Sequence, residues 1–150
     1  MALYYLDTSA LVKLYVREQG TERMLQLTSR TASNQLAVLA LAQVEIWSAL
    51  RRRQRAGEIG RVVADQLLAS FQRHVESKFL RQAITEAILD EACRLIDRRG
   101  LTAFDAIQLA GYFALRITSG KNIPIFVSSD QELLHAAEVE AVPVMDPCLT

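Results

Sequence analysis

Residues 2–9 read Ala-Leu-Tyr-Tyr-Leu-Asp-Thr-Ser. The apolar run shows no alternation and stops at Asp7-Thr8-Ser9. That pattern predicts a strand buried on both faces, feeding directly into a helix N-cap. The same grammar recurs at 123–130, where Ile-Pro-Ile-Phe-Val is followed by Ser128-Ser129-Asp130. Strands without polar faces belong to parallel sheets covered by helices on both sides.

Helical patterns separate these strands. They predict helices over 10–17, broken by Gly20, and over 21–28. Longer ones follow over 39–56, closed by Gly57, and over 58–77, with Val62, Leu67, Leu68 and Phe71 on the apolar side. Thr85 opens a helix that ends at Gly100, Thr102 caps another through about 117, and a last one covers 130–139. Further strands are expected at 31–36, 79–84 and 142–145. Strands joined by helices imply right-handed crossovers and an α/β fold. The expectation is one domain over 1–150, with a central parallel sheet of about 4–5 strands covered by helices on both faces. In such sheets the site lies beyond the carboxyl ends of the strands, where the strand order reverses.

Composition narrows the function. At 150 residues, with 51% hydrophobic and 23% charged residues, the chain can build a full core without staples. The longest apolar stretch, Leu36 to Ala42, is too short to span a membrane, and the start lacks a signal-peptide pattern. Cys93 and Cys148 are too few for a disulfide framework or a zinc site, so a cytoplasmic protein with reduced thiols is expected. His74 and His135 read as ordinary surface side chains. Net charge is zero. Yet Arg51, Arg52, Arg53, Arg55 and Arg61 share one stretch with a single acid, Glu58. This is either a solvated helix face or a grip for phosphate.

Four acids stand where chemistry would need them. Asp7 and Asp130 follow strands, and each could simply cap a helix. Glu45 and Asp105 lie inside apolar helices. The neighbours of Glu45 one turn away are Leu41, Ala42, Ser48 and Ala49; those of Asp105 are Leu101, Thr102, Gln108 and Leu109. A carboxylate on a core-facing stripe needs a partner. Arg51 or Arg98 could supply a salt bridge. Alternatively the four acids converge around a cation, and an all-oxygen set suits Mg²⁺ or Mn²⁺.

At these residues the chain resembles the PIN domain family, and within it the VapC-like toxin ribonucleases of bacterial toxin–antitoxin pairs. The resemblance rests on LDTSALVKLYV from Leu6, AQVEIWSALRRR from Ala42, LTAFDAIQLA from Leu101, IFVSSDQELLHAA from Ile125 and the closing VPVMDP. It implies that Asp7, Glu45, Asp105 and Asp130 bind Mg²⁺ or Mn²⁺ and catalyse hydrolysis of RNA. Thr8, Ser9 and Ser128 match small hydroxyl positions beside the metal. The resemblance also implies a homodimer and a cognate antitoxin, and Arg51, Arg52 and Arg55 could contact RNA or that antitoxin. Two departures stand out. Leu39-Ala-Leu-Ala replaces a small polar residue before the helical Glu, and Glu140-Ala141 replaces a Gly before the last strand.

Rival readings fit less well. An aspartyl phosphatase wants a second Asp at position 9, which is Ser. A receiver domain wants paired acids after the first strand, and only Asp7 is there. A metal-silent PIN-like module that only binds protein or RNA would tolerate loss of an acid, and none is lost.

Overall fold

The computed structural model describes residues 1–149. Five strands form one fully parallel sheet: β1 (Leu3–Leu6), β2 (Gln35–Leu39), β3 (Leu80–Gln82), β4 (Ile125–Val127) and β5 (Val144–Met145). Their spatial order is β3-β2-β1-β4-β5. The chain winds outward from β1 to β3, then returns to place β4 against β1. The order therefore reverses between β1 and β4, whose register pairs Tyr5 with Phe126 and Leu6 with Val127.

Alternation along β1 divides the core into two layers. Leu3 and Tyr5 pack into the layer that includes Leu95, Leu109 and Leu133. These come from helices α5 (Glu86–Arg99), α6 (Ala103–Thr118) and α7 (Gln131–Val139). Leu6 packs into the opposite layer with Leu11, Met24, Ile46 and Phe71. These come from α1 (Thr8–Leu11), α2 (Thr21–Thr28), α3 (Leu41–Arg55) and α4 (Arg61–Ser77).

Several boundaries differ from the sequence expectation. The first helix begins at Thr8 and is α-helical only to Leu11, tightening into a 3-10 turn over Val12–Leu14. The second strand lies at 35–39, not 31–36: a 3-10 turn over Arg30–Ala32 and a left-handed Ser33 (φ 54°) occupy the expected start. Leu39 thus belongs to β2, and α3 starts at Leu41. Val62 is 69% exposed, and Ala64, Leu68 and Phe71 carry the buried face of α4. His74 is half-buried, with Nδ1 2.7 Å from the Tyr15 hydroxyl, rather than a free surface side chain.

The Glu140-Ala141 departure has a definite geometry. The Val142 N–H donates to the Ala137 carbonyl (3.0 Å) and the Ala141 N–H to the Glu138 carbonyl (2.9 Å), the bond pair of a Schellman cap. Ala141 sits at φ 61°, the left-handed position where Gly is usual. Glu140 is clamped by Arg98 and Arg99 at 2.6 and 2.5 Å, tying this cap to α5.

A candidate metal centre at the switch point

Asp7 extends β1 by one residue, its N–H donating to the Val127 carbonyl at 3.0 Å. It occupies the N-cap position of α1, but its side chain makes no cap bond. The carboxylate instead accepts from the Ser9 hydroxyl (2.7 Å) and the Ser128 hydroxyl (2.9 Å), both on Oδ2. The Ser9 and Ser128 hydroxyls lie 3.2 Å apart, and the Ser129 N–H donates to Ser9 Oγ at 2.9 Å. The ends of β1 and β4 are thereby stitched together around one buried anion. Burial raises the Asp7 pKa; the two hydroxyls lower it, Glu45 raises it and the Thr8 N–H lowers it.

Glu45 reaches the same place from α3. Its Oε1 accepts from the Thr8 hydroxyl (2.8 Å) and from Gln108 Nε2 (2.8 Å). Gln108 Nε2 also lies 3.2 Å from Thr8 Oγ1. Its Oε1 faces the Tyr5 hydroxyl at 3.0 Å, and that hydroxyl lies 2.7 Å from the Gln108 backbone carbonyl. The carboxylate fixes the amide orientation, since a flipped amide would aim oxygen at oxygen. Gly111 completes the arrangement one turn further along α6. A Cβ there would overlap the Tyr5 hydroxyl, so this helix accepts a glycine that costs about 1 kcal/mol against Ala.

Asp105, also on α6, is half-buried. Burial raises its pKa, and the charges of Asp130 and Asp7 push it up further; a Thr102 hydrogen bond lowers it and the charge of Glu132 raises it. Asp130 is a true N-cap: Oδ1 accepts from the N–H groups of Glu132 (3.0 Å) and Leu133 (3.2 Å). Its own N–H donates to Ser128 Oγ at 3.1 Å.

No Lys or Arg pairs with any of these four acids among the described residues. Arg51 is bound to Asp65 of α4 at 2.8 Å, and Arg98 is bound to Glu91 and Glu140. No salt bridge therefore accounts for Glu45 or Asp105 among the described residues. Nor does any group of three or more His, Cys, Asp and Glu side chains stand close enough together to hold a metal ion among the described residues. Mg²⁺ does not demand one: it keeps several waters and takes only one or two carboxylates. An all-oxygen acid set without a neutralising cation fits a hard divalent ion.

Of the Arg run, Arg52 and Arg55 are exposed and free of carboxylate partners among the described residues, while Arg53 pairs with Glu18. Sequence reasoning missed two contributors. Gln108 was visible only as a neighbour of Asp105, although a Gln inside an apolar helical stripe is itself a signal of a buried polar network. Glu132, exposed in the first turn of α7, adds to the field on Asp105.

A five-stranded parallel sheet with Asp7 and Asp130 following the two strands at its switch point defines the chain as an α/β protein. The PIN domain family model matches residues 4–139, and the chain belongs to that family. It is similar in structure to the protein PAE2754 of Pyrobaculum aerophilum (27% identity, TM-score 0.66, covering 97% of this chain and 90% of that one). It shares its fold with a chain of a toxin–antitoxin complex from Klebsiella pneumoniae (17% identity, TM-score 0.64, covering 96% and 97%). The same holds for a chain of VapBC2 from Rickettsia felis, crystallised with a DNA fragment from its promoter (11% identity, TM-score 0.64, covering 96% and 98%). No curated protein matches the sequence. Among the described residues, no helix is long and apolar enough to cross a membrane.

Proposed function

We propose that residues 1–150 act as one PIN unit, a divalent-metal-dependent endoribonuclease that serves in the cytoplasm as the toxin of a toxin–antitoxin pair. One observation supports the reading: Asp7 lies within the field of Glu45, and Asp105 within the fields of Asp130 and Asp7, while none of the four acids pairs with a Lys or Arg among the described residues. Mutual repulsion and burial make that arrangement unfavourable by itself. Mg²⁺ or Mn²⁺ held by these acids relieves it. When bound, the ion supplies polarisation of the scissile phosphate and acidification of water.

The remaining work falls to the chain. Ser9 and Ser128 both donate to Oδ2 of Asp7. Thr8 and Gln108 do the same for Oε1 of Glu45. Asp7 and Glu45 are thus held from behind by hydrogen bonds, which narrows the orientations they can offer an ion. The free protein is a homodimer in this reading, with the exposed Val62 and Val63 of α4 near the contact. The antitoxin covers the acidic groove with a basic side chain, as charge complementarity favours. The test is cleavage of single-stranded RNA by purified protein. Cleavage with Mg²⁺ or Mn²⁺ that stops in EDTA is expected; cleavage indifferent to chelation rejects the metal, and no cleavage with any divalent ion favours the metal-silent module.

A further inference from the structure

Beside the acids, α3 and the start of α6 enclose a cavity of about 300 Å³. Thr8, Leu41, Val44, Glu45, Arg52 and Phe104 line it. Phe104, in the first turn of α6, is 60% exposed, although the middle of that helix is buried. It directly precedes Asp105 and lines the same cavity as Glu45. Arg52 lies two turns along α3 from Glu45, on the same side of the helix. Its neighbours Arg51 and Arg53 are held by carboxylates; Arg52 is exposed and has none among the described residues.

We propose that this cavity is a nucleotide subsite, in which a single-stranded RNA stacks one base on Phe104 while Arg52 holds a phosphate next to the one at the acids. The inference rests on the ribonuclease reading above and names the substrate form that the site selects. A base has two flat apolar faces and a polar rim. The apolar side chains of Leu41 and Val44 suit a face, and the Ser48 hydroxyl suits a rim. Duplex RNA hides its base faces and cannot use such a platform, whereas an unstacked strand can. The unpaired Arg fixes the charge of the occupant: a phosphate satisfies it without displacing an internal ion pair. Val44 and Ser48 also line the adjoining groove of about 570 Å³, which holds Trp47 and Arg55. The adjoining groove thus offers a second aromatic and a guanidinium without a carboxylate partner among the described residues.

The experiment measures binding of an end-labelled single-stranded RNA dodecamer by fluorescence anisotropy in EDTA, where no cleavage occurs under this reading. Phe104→Ala weakens binding about tenfold, within the range known for base–aromatic stacking. Phe104→Trp restores affinity and Phe104→Leu does not, which separates stacking from mere apolar filling. Arg52→Gln weakens binding and flattens the log–log salt dependence by about 0.7, the loss of one phosphate contact on a single strand. Affinity for an RNA duplex is the same in wild type and Phe104→Ala. A wild type that cleaves RNA with Mg²⁺ while Phe104→Ala and Arg52→Gln bind RNA unchanged overturns the subsite alone and leaves the cavity to a protein occupant. A wild type that neither binds nor cuts RNA overturns the ribonuclease reading and the subsite together.

Discussion

Gln108 donates from Nε2 to Glu45 Oε1 at 2.8 Å, linking two helices that lie on opposite faces of the sheet. Gln108 is 1% exposed and spans the gap between the buried Tyr5 hydroxyl and the acid site. Groups that orient ligands from behind are commonly worth 10–100-fold in metal affinity or activity. Gln108→Leu should therefore reduce RNA cleavage by about that factor and raise the Mg²⁺ concentration needed for half-maximal rate. A Mg²⁺ titration of the variant checks this. A lower rate with an unchanged Mg²⁺ requirement would show that Gln108 supports the fold and not the acid.

Asp7→Asn should abolish cleavage and leave the fold intact. The amide keeps an oxygen for Ser9 and Ser128, so the stitching of β1 to β4 survives. The buried charge that the ion would need is gone. Cleavage assays and thermal melting of the same preparation separate the two effects. A variant cutting at the wild-type rate would reduce Asp7 to a structural acceptor.

Metal-free stability should fall as pH rises. Burial raises the pKa of both Asp7 and Asp105, so the folded chain holds protons that the unfolded chain has released. A raised carboxyl pKa contributes stability below the unfolded value, about 3.9 for Asp, and loses it as pH climbs through the folded value. Mg²⁺ binding only the native arrangement should restore the loss by mass action. Asp105→Asn should melt at or above wild type in EDTA near pH 7 and gain less from Mg²⁺. Melting with EDTA and with Mg²⁺ checks both signs; a variant markedly less stable in EDTA would make Asp105 a structural residue.

Ala141→Gly should stabilise the protein. A non-Gly residue in the left-handed region costs about 1–2 kcal/mol. The greater freedom of Gly in the unfolded chain takes back about 0.4–1 kcal/mol. Ala141 is exposed, so no packing is lost. A net gain of about 0.5–1 kcal/mol, a rise of roughly 1–4 °C in melting temperature, is expected. Differential scanning calorimetry would register it, and an unchanged Tm would mean the cap relaxes around Ala without strain.

The sheet and the position of the acids were legible because their signals are local. Apolar runs that end in Asp-Thr-Ser or Ser-Ser-Asp mark a strand end and a cap at once, and both fell at the switch point. Glu45 and Asp105 stood out as acids on apolar stripes. Two kinds of fact were not local. Leu39 suits a strand or a helix equally well, and only its pairing in β2 decides, which shifted the start of α3. The role of Gln108 depends on Tyr5, more than a hundred residues away, and on the space left by Gly111. Likewise, capping is an honest description of Asp130 and a false one of Asp7, although the two sequence contexts look alike.

The division of the core into two layers governs when the acid cluster exists at all. Glu45 arrives on α3 from one layer and Asp105 on α6 from the other, while Asp7 and Asp130 stand at the seam between them. Neither half of the molecule holds the full set. Detaching either layer would separate Glu45 from Asp105, so the activity proposed above would vanish at that partial opening. A protease or destabilising mutation acting on α3 or on α6 alone would disarm the molecule as completely as global unfolding.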